Sequence, residues 1–554
     1  MRLLTIIWPF LVLLILLISP AIVINLRASE NMEVSGILLS LSVALLVFTA
    51  PAGLWFRNVK LYFYLLTPLA LLTPVFLFST YYFGLPPGFE LIAFTLQTNP
   101  REAQEAIGPF LLYFIAFQLL FVIVYILAIR MIRTDVLQAR WTLCVSVLSF
   151  ALLAAIIVYS NELLSKSLRQ ITKHDLILKY EYPFTLISGV SEAHSFLRKN
   201  NLHQAQNFSF KAVKSDTLVS RQVYVLIIGE SSRYDRWQVN GYTRDTSPKL
   251  NSVKDLITYS DVVSGAHYTW VSVPQIITRA NPDNYDLQYK EKSILGVFQE
   301  AGFRTYWLSN QSDQDIFWSG SITLHARTAD VYSFSPTWSP NLEFENIYDG
   351  RLLPMLDSVL RTDREDLFIV LHTMGNHWEY NRRYPREFDV FQPSEYPDPG
   401  NPAHLVNREA IWNSYDNSIR YADFFIHSVI ETVNRNADIS TVTFISDHGE
   451  DLFDAYGDRA DFHFRPSAAT LRVPLFVWTS HSYKNIFPAK RANLEAHASM
   501  KIGTENLFYT LTDIANIRIE GFDPTKSLAH PDFIPSEQRF YGDDRKGHFF
   551  SALQ

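Results

Sequence analysis

At 554 residues the chain is too long for one ordinary domain, and its apolar residues crowd into the first 160. A formal net charge of −7, with no Lys/Arg tract beyond the segment after the last apolar stretch, argues against a nucleic-acid partner. The single cysteine, Cys144, sits in an apolar run, so the soluble part folds without disulfides and has neither a thiolate zinc site nor a cysteine nucleophile.

Five apolar stretches reach the roughly 20 residues that cross a bilayer: Leu3–Leu26, Gly36–Phe56, Leu61–Gly84, Pro109–Ile129 and Trp141–Ser160. Trp8, Trp55, Tyr62, Tyr81, Tyr82 and Trp141 lie near their ends, as interfacial anchors do. The first stretch is too long for a cleaved signal peptide, lacks an A-x-A site and is followed by four more. Arg2, Arg57, Lys60, Arg130, Arg133 and Arg140 fall on one side of these spans, Arg27 and Arg101 on the other. The positive-inside rule then puts the N-terminus in the cytoplasm and everything after Ser160 outside, which in a bacterium is the periplasm. Residues 1–160 are thus expected to form a five-helix transmembrane domain. Residues 161–205 read either as an amphipathic, partly basic linker on the membrane surface or as an ordinary connecting helix.

From 206 to 554 strand and helix patterns alternate. The strand candidates are Val223–Ile228, Thr305–Leu308, Leu367–Leu371, Thr441–Ser446 and Pro474–Trp478, with helical patterns at Lys292–Ala301, Ile347–Thr362 and Trp412–Asn434. That order predicts an α/β domain whose mostly parallel sheet is covered by helices. Arg386–Leu405, rich in Pro and Asp, reads as a long surface loop. The apolar run VYVLII ends in Gly-Glu and delivers Glu230 at the sheet edge where α/β folds bind ligands. TVTFIS ends the same way and hands over Asp447 and His448. Two hard oxygen ligands and one imidazole at neighbouring strand ends suit a divalent metal with one position open. Thr269 precedes a short helical run, where it is either an N-cap or a hydroxyl nucleophile favoured by the helix dipole and a metal. Ser231 and Ser232 are poor candidates, because a nucleophile elbow needs a small residue where Arg233 stands. His372 ends a strand and reads as a buried hydrogen-bonded residue, while His267 either lines the pocket or faces solvent.

Taken together, TNPREA (98–103), IIGESSR (227–233), GYTRDTSPKL (241–250), YTWVSVP (268–274), AGFRTYWLSNQ (301–311), HTMGNHWEYNRRYP (372–385), YDNSIRYADFF (415–425), SDHGE (446–450) and VPLFVW (473–478) resemble the bacterial inner-membrane phosphoethanolamine transferases of the alkaline phosphatase and sulfatase superfamily. The resemblance implies a phosphatidylethanolamine donor and a lipopolysaccharide or other envelope-glycan acceptor. It also implies that Glu230, Thr269, Asp447 and His448 bind one zinc ion, with a second admitted during catalysis, and that Thr269 is the nucleophile. His377 and His463 would act on the transferred group, Asn310 would help hold the phosphate, and Asn99 and Glu102 would recognise the donor headgroup. GESSR and SGAHYT, together with the lack of disulfides, lean toward the branch that modifies core heptose rather than lipid A. The alternatives are a phosphoglycerol transferase using phosphatidylglycerol, a membrane-anchored sulfatase or phosphodiesterase, and a non-catalytic scaffold.

Overall fold

The computed structural model describes residues 2–28, 34–52, 58–83, 86–89, 91–92, 95, 111–132, 140, 142–153, 182–200, 207–312, 320–335, 348–399, 403–454, 457, 459–460, 462–463, 465–542 and 548–553. The chain divides into two compact units, Met1–Thr98 with Glu102–Leu197 and Asn99–Arg101 with Arg198–Gln554.

The first unit is helical: α1 (Arg2–Ala28), α2 (Val34–Thr49), α3 (Val59–Leu65), α4 (Thr67–Phe78) continued by a π-helical turn at Ser79–Phe83, α5 (Leu111–Met131) and α6 (Phe184–Asn200). Among the described residues Trp8–Leu26 and Leu111–Met131 are long and apolar enough to span a membrane. A third candidate is the pair Val59–Leu65 and Thr67–Tyr81, bent by 50° at a break at Leu66 that Pro68 in the next turn follows. Ser40–Thr49 and Thr142–Leu153 are apolar but shorter, so of the five expected spans the described residues contain two or three of full length, and parts of the second and fifth lie outside the described residues. Of the expected linker, 161–181 and 201–205 lie outside the described residues, and α6 occupies most of the remainder.

The second unit is built on a seven-stranded sheet: β1 (Gln222–Gly229), β2 (Leu256–Tyr259), β3 (Arg304–Ser312), β4 (Val331–Ser335), β5 (Leu367–His372), β6 (Ile439–Ser446) and β7 (Leu475–Thr479), in spatial order β2-β7-β6-β1-β5-β3-β4. All neighbouring pairs are parallel except those that β7 makes with β2 and β6. The mostly parallel α/β architecture therefore matches the expectation. β1 is central and wholly buried, and its alternation sorts Tyr224, Leu226 and Ile228 into one apolar cluster and Val223, Val225 and Ile227 into the other. Helices α7 (Thr269–Ile277), α8 (Ile294–Glu300) and α11 (Asn506–Ile514) supply the first cluster; α9 (Leu352–Thr362) and α10 (Arg408–Asn436) supply the second. Each such side chain removed from water contributes roughly 1.5–3 kcal/mol, so the central strand is firmly held between the two clusters. Among its described residues Arg386–Leu405 has no long element, as expected, yet these are pinned: Asn417 Oδ1 accepts from the backbone of Val390 and Phe391, and Tyr396 stacks on Trp378 at 5.0 Å.

Candidate metal centre and active site

Register decides which residues meet. Gly229 pairs with Ser446, and Ile228 with His372, so the residues that follow β1, β5 and β6 emerge level at one sheet edge. One oxygen each of Glu230 and Asp447 and a ring nitrogen of His448 lie within 4.8 Å of one another, and all three residues are buried. His448 Nε2 stands 3.2 Å from Glu230 Oε1 and 3.5 Å from Asp447 Oδ2. Its Nδ1–H donates to the Gly449 carbonyl at 2.8 Å, which leaves Nε2 as the nitrogen facing the carboxylates. The Ser231 and His448 amides donate to Asp447 Oδ1 at 3.0 and 2.6 Å, while Oδ2 is buried and accepts no hydrogen bond.

The charges show the strain of that arrangement. Burial and the adjacent Glu230 push Asp447 up to about 8. Burial disfavours the His448 cation, yet Asp447 and Glu230 overcome it and raise that group to about 10. For Glu230 burial works upward, and hydrogen-bonded His448 outweighs it and holds the carboxyl below its usual range. Two acids competing for one cation, with a buried oxygen lacking a donor, fit a divalent ion, which would displace the shared protons on binding.

Tyr268, with extended backbone, takes the N-cap of α7 without a side-chain cap, and Thr269 is the first helical residue. The hydroxyl of Thr269 is thus not a cap. It donates toward Glu230 Oε2 at 3.0 Å and Oε1 at 3.2 Å and stands 3.3 Å from His448 Nε2. Ser264 Oγ and Ser272 Oγ both donate to the Asp447 carbonyl, the latter at 2.6 Å, tying α7 to the end of β6. Ser231, at φ 57°, turns its hydroxyl back to Glu230 Oε1 at 2.9 Å. Ser232 Oγ accepts from the Trp237 indole at 3.0 Å.

His463 and His377 join the same cluster. The His463 ring centroid lies 4.9 Å from that of His448 and 6.2 Å from that of His377. Nδ1–H of His463 donates to Glu450 Oε1 at 3.0 Å. Nδ1–H of His377 donates to the Trp378 carbonyl at 2.6 Å, and burial lowers the pKa of this ring. Asn310 is buried, and its amide donates to Asp349 Oδ1 at 2.8 Å. Asp349 in turn accepts from the amides of Met374 and Gly375, the turn that passes under Glu230. Asn99 and Glu102 lie outside the described residues. His372 is buried, with Ser309 Oγ 3.4 Å from Nδ1, and burial lowers it to about 4. His267 is buried too, its ring 3.9 Å from that of Tyr268.

Three contributors went unread in the sequence. Gln311 donates to Glu230 Oε2 at 3.1 Å and to the Thr373 carbonyl at 2.9 Å, Glu450 orients His463, and Asp349 braces the turn. Gln311 and Glu450 each sit one residue beyond a residue that had been singled out or inside SDHGE, so the rule that strand ends carry function would have found both.

Residues 222–517 match the family model described as Sulfatase. Phosphoethanolamine transferase EptC of Escherichia coli O18:K1:H7 (strain RS218 / NMEC) is 26% identical over 460 residues, 79% of this chain and 76% of that protein. The crystal structure of the C-terminal periplasmic domain of EcEptC from Escherichia coli in complex with Zn aligns at 25% identity with a TM-score of 0.55, over 62% of this chain and 96% of that one. The integral membrane lipooligosaccharide phosphoethanolamine transferase A from Neisseria meningitidis has the same fold, with a TM-score of 0.71 at 21% identity over 93% of this chain and 97% of that one. The resemblance carried by the motifs is borne out by these relatives.

Proposed function

The chain belongs to the sulfatase family, and from that premise we propose that it is a metal-dependent transferase moving phosphoethanolamine from phosphatidylethanolamine to a cell-envelope glycolipid, lipopolysaccharide core heptose or lipid A. The relative that is 26% identical over most of the chain is named for this transferred group, which favours the reading over phosphoglycerol transfer or hydrolysis. The observation that carries it is the Thr269 hydroxyl, 3.0 Å from Glu230 and 3.3 Å from His448 at the start of a helix.

In the first half-reaction Thr269 Oγ1 attacks the phosphorus of the donor phosphodiester. An O–P bond to threonine forms as the hydroxyl proton passes to Glu230, toward which it already donates, the bond to diacylglycerol breaks, and diacylglycerol leaves as the alcohol. The helix N-terminus favours the negative charge that gathers on the phosphoryl oxygens. Glu230, Asp447, His448 and Thr269 would hold a zinc ion, the metal with which the EptC domain was crystallised, and bound there it would lower the hydroxyl pKa and polarise a phosphoryl oxygen. His463, fixed through Nδ1 by Glu450, leaves Nε2 to give a proton to the departing oxygen and to take one from the acceptor hydroxyl in the second half-reaction. His377, fixed through Trp378, is the second candidate for that exchange. A second metal ion during catalysis, phosphate contact by Asn310, and headgroup contact by Asn99 and Glu102 belong to the same proposal on motif grounds. So do five spans in residues 1–160, a linker at 161–205 and a periplasmic catalytic domain at 206–554.

Mass spectrometry of envelope glycolipids from cells with and without the protein tests the reading. One glycolipid should gain a phosphoethanolamine group only when the chain is present and Thr269 intact; unchanged glycolipids would overturn it.

A further inference from the structure

The helical unit contains a cavity of about 340 Å³ at one end of three helices. Its walls come from Val23 near the C-terminus of α1, Phe78 and Tyr81 at the end of α4 and its π-helical turn, and Tyr113, Phe114 and Phe117 in the first two turns of α5. Phe78 and Phe114 meet edge to face at 5.4 Å. Apart from the two phenol hydroxyls, these lining side chains are apolar.

Which end this is follows from the basic residues. At the opposite end of the same bundle Lys60, in α3, directs Nζ at the Arg130 carbonyl near the C-terminus of α5, 3.4 Å away. Lys60 and Arg130 therefore share an end, and the positive-inside rule makes it the cytoplasmic one. The cavity is at the outer end.

Its size falls in the lower part of the range of ligand pockets, about 300–1,000 Å³. An apolar space stays dry, and a space this large left empty forfeits packing on every wall. In a bilayer the available filler is a hydrocarbon chain. The rim selects further: Tyr81 and Tyr113 are 59% and 79% exposed, and tyrosines with an apolar body and polar tip sit at the boundary between hydrocarbon and headgroups. An occupant with an apolar tail and a polar head at the level of the tyrosines matches both parts. The π-helical turn at Ser79–Phe83 widens the backbone at this rim, and such turns gather at functional sites.

We propose that this cavity receives one acyl chain of the donor phospholipid, so that the helical unit binds the donor as well as anchoring the chain. The inference rests on the reading that phosphatidylethanolamine is the donor. A chain held here fixes the headgroup at the outer membrane surface, and binding energy from this part of the substrate, remote from phosphorus, is lost when the substrate is truncated.

The test uses the full chain in nanodiscs. Phosphatidylethanolamine carrying a diazirine within one acyl chain should, on irradiation, label the peptides containing Val23, Phe78 and Phe114, and plain phosphatidylethanolamine should compete. Label spread evenly over lipid-facing positions such as Leu119, Leu120 and Ile123 without competition would mean ordinary surrounding lipid, and label displaced better by lipid A would mean an acceptor site; either overturns the proposal. In parallel, Val23→Trp, which fills the cavity, should raise KM for phosphatidylethanolamine by about 10-fold or more with little change in kcat. Turnover of a water-soluble nitrophenyl ester of phosphoethanolamine, which has no acyl chain, should be unchanged in the same variant. An unaltered KM for the lipid overturns the inference, whereas an unaltered chain that consumes no phosphatidylethanolamine overturns the donor reading instead. Labelling of the unaltered chain decides the matter if Val23→Trp loses both activities through misfolding.

Discussion

At the scale of single residues the site is a problem of unbalanced charge. Glu230 and Asp447 share the proton-bearing His448, and Thr269 leans on the same carboxylate. Removing one ligand should therefore act on metal and nucleophile differently. Asp447→Ala should lose most stoichiometric zinc by elemental analysis, while Thr269→Ala should keep much of it because three ligands remain. With phosphatidylethanolamine and no acceptor, a phosphoethanolamine adduct should map by peptide mass spectrometry to the peptide containing Thr269 and vanish in Thr269→Ala. Ser231→Ala should cost at most about 10²-fold in rate, since Ser231 only braces Glu230. An adduct on the peptide with Ser231 and Ser232 would reverse these roles. The convergence of Glu230, Asp447 and His448 was legible in the sequence because an apolar run ending in an acid betrays a strand that delivers a polar side chain to the sheet edge. Whether Thr269 capped its helix was not legible, because that depends on where Glu230 lies in space. Asp349 was missed for the same reason: it acts through the amides of Met374 and Gly375, well along the chain.

The elements translate this chemistry into geometry through close approaches. Gly375, at φ 47°, carries no Cβ, and one built there would stand 2.7 Å from the Glu230 carbonyl oxygen and 2.8 Å from its amide nitrogen. Asn376 N–H donates to that same carbonyl at 2.9 Å, so the turn after β5 holds the residue after β1 by backbone alone. Gly375→Ala should cost about 1–3 kcal/mol from left-handed strain and the clash. It should also weaken zinc binding, which thermal melting and elemental analysis would separate. In α10, Asp423 accepts from the amides of Lys249 and Leu250 at 2.9 and 2.8 Å, and burial raises it to about 7. Its ordinary unfolded value is about 3.9. The folded state thus holds a proton that the unfolded chain releases, and the stabilisation is complete below about pH 4 and lost as pH rises through about 7. The maximal slope is about 1.4 kcal/mol per pH unit. The difference in stability between the unaltered chain and Asp423→Asn, from melts followed by tryptophan fluorescence, should change by that slope between pH 4 and 7; a constant difference would mean that Asp423 stays charged. Buried strands such as Val223–Ile228 and Thr441–Ser446 were readable because they are short β-branched and apolar runs that end abruptly in an acid, and α10 because its apolar residues recur at helical spacing. The reversal of β7 was not readable, since a short buried strand looks the same in either direction. Edge strands β2 and β4 escaped because LITY and VYSFS mix polar and apolar residues on half-covered faces.

The whole molecule is a question of sides. Hydropathy placed five spans, whereas the described residues contain two full-length apolar helices and a third formed by a pair bent by 50°. Parts of the second and fifth expected stretches, 53–56 and 154–160, lie outside the described residues, and the described remainders Ser40–Thr49 and Thr142–Leu153 are correspondingly short, while the bend with Pro68 in the first turn of the second helix of that pair is a feature to which a window of averaged hydropathy is blind. An odd number of crossings with a cytoplasmic N-terminus sends the sulfatase-family unit outside; an even number would leave it inside, away from any glycolipid acceptor on the outer leaflet. Lys60 beside the Arg130 carbonyl puts the start of α3 and the end of α5 at one basic end, the cytoplasmic one by the positive-inside rule, and the apolar stretch Trp141–Ser160 expected from hydropathy supplies the one further crossing that would put the unit outside. A reporter active only outside the cytoplasm should therefore be active when fused after Gln554 and silent when fused after Lys60. The reverse pattern would sink the topology, and with it transfer from a donor lipid to an acceptor in the outer leaflet, because Thr269 and Lys60 would have exchanged compartments.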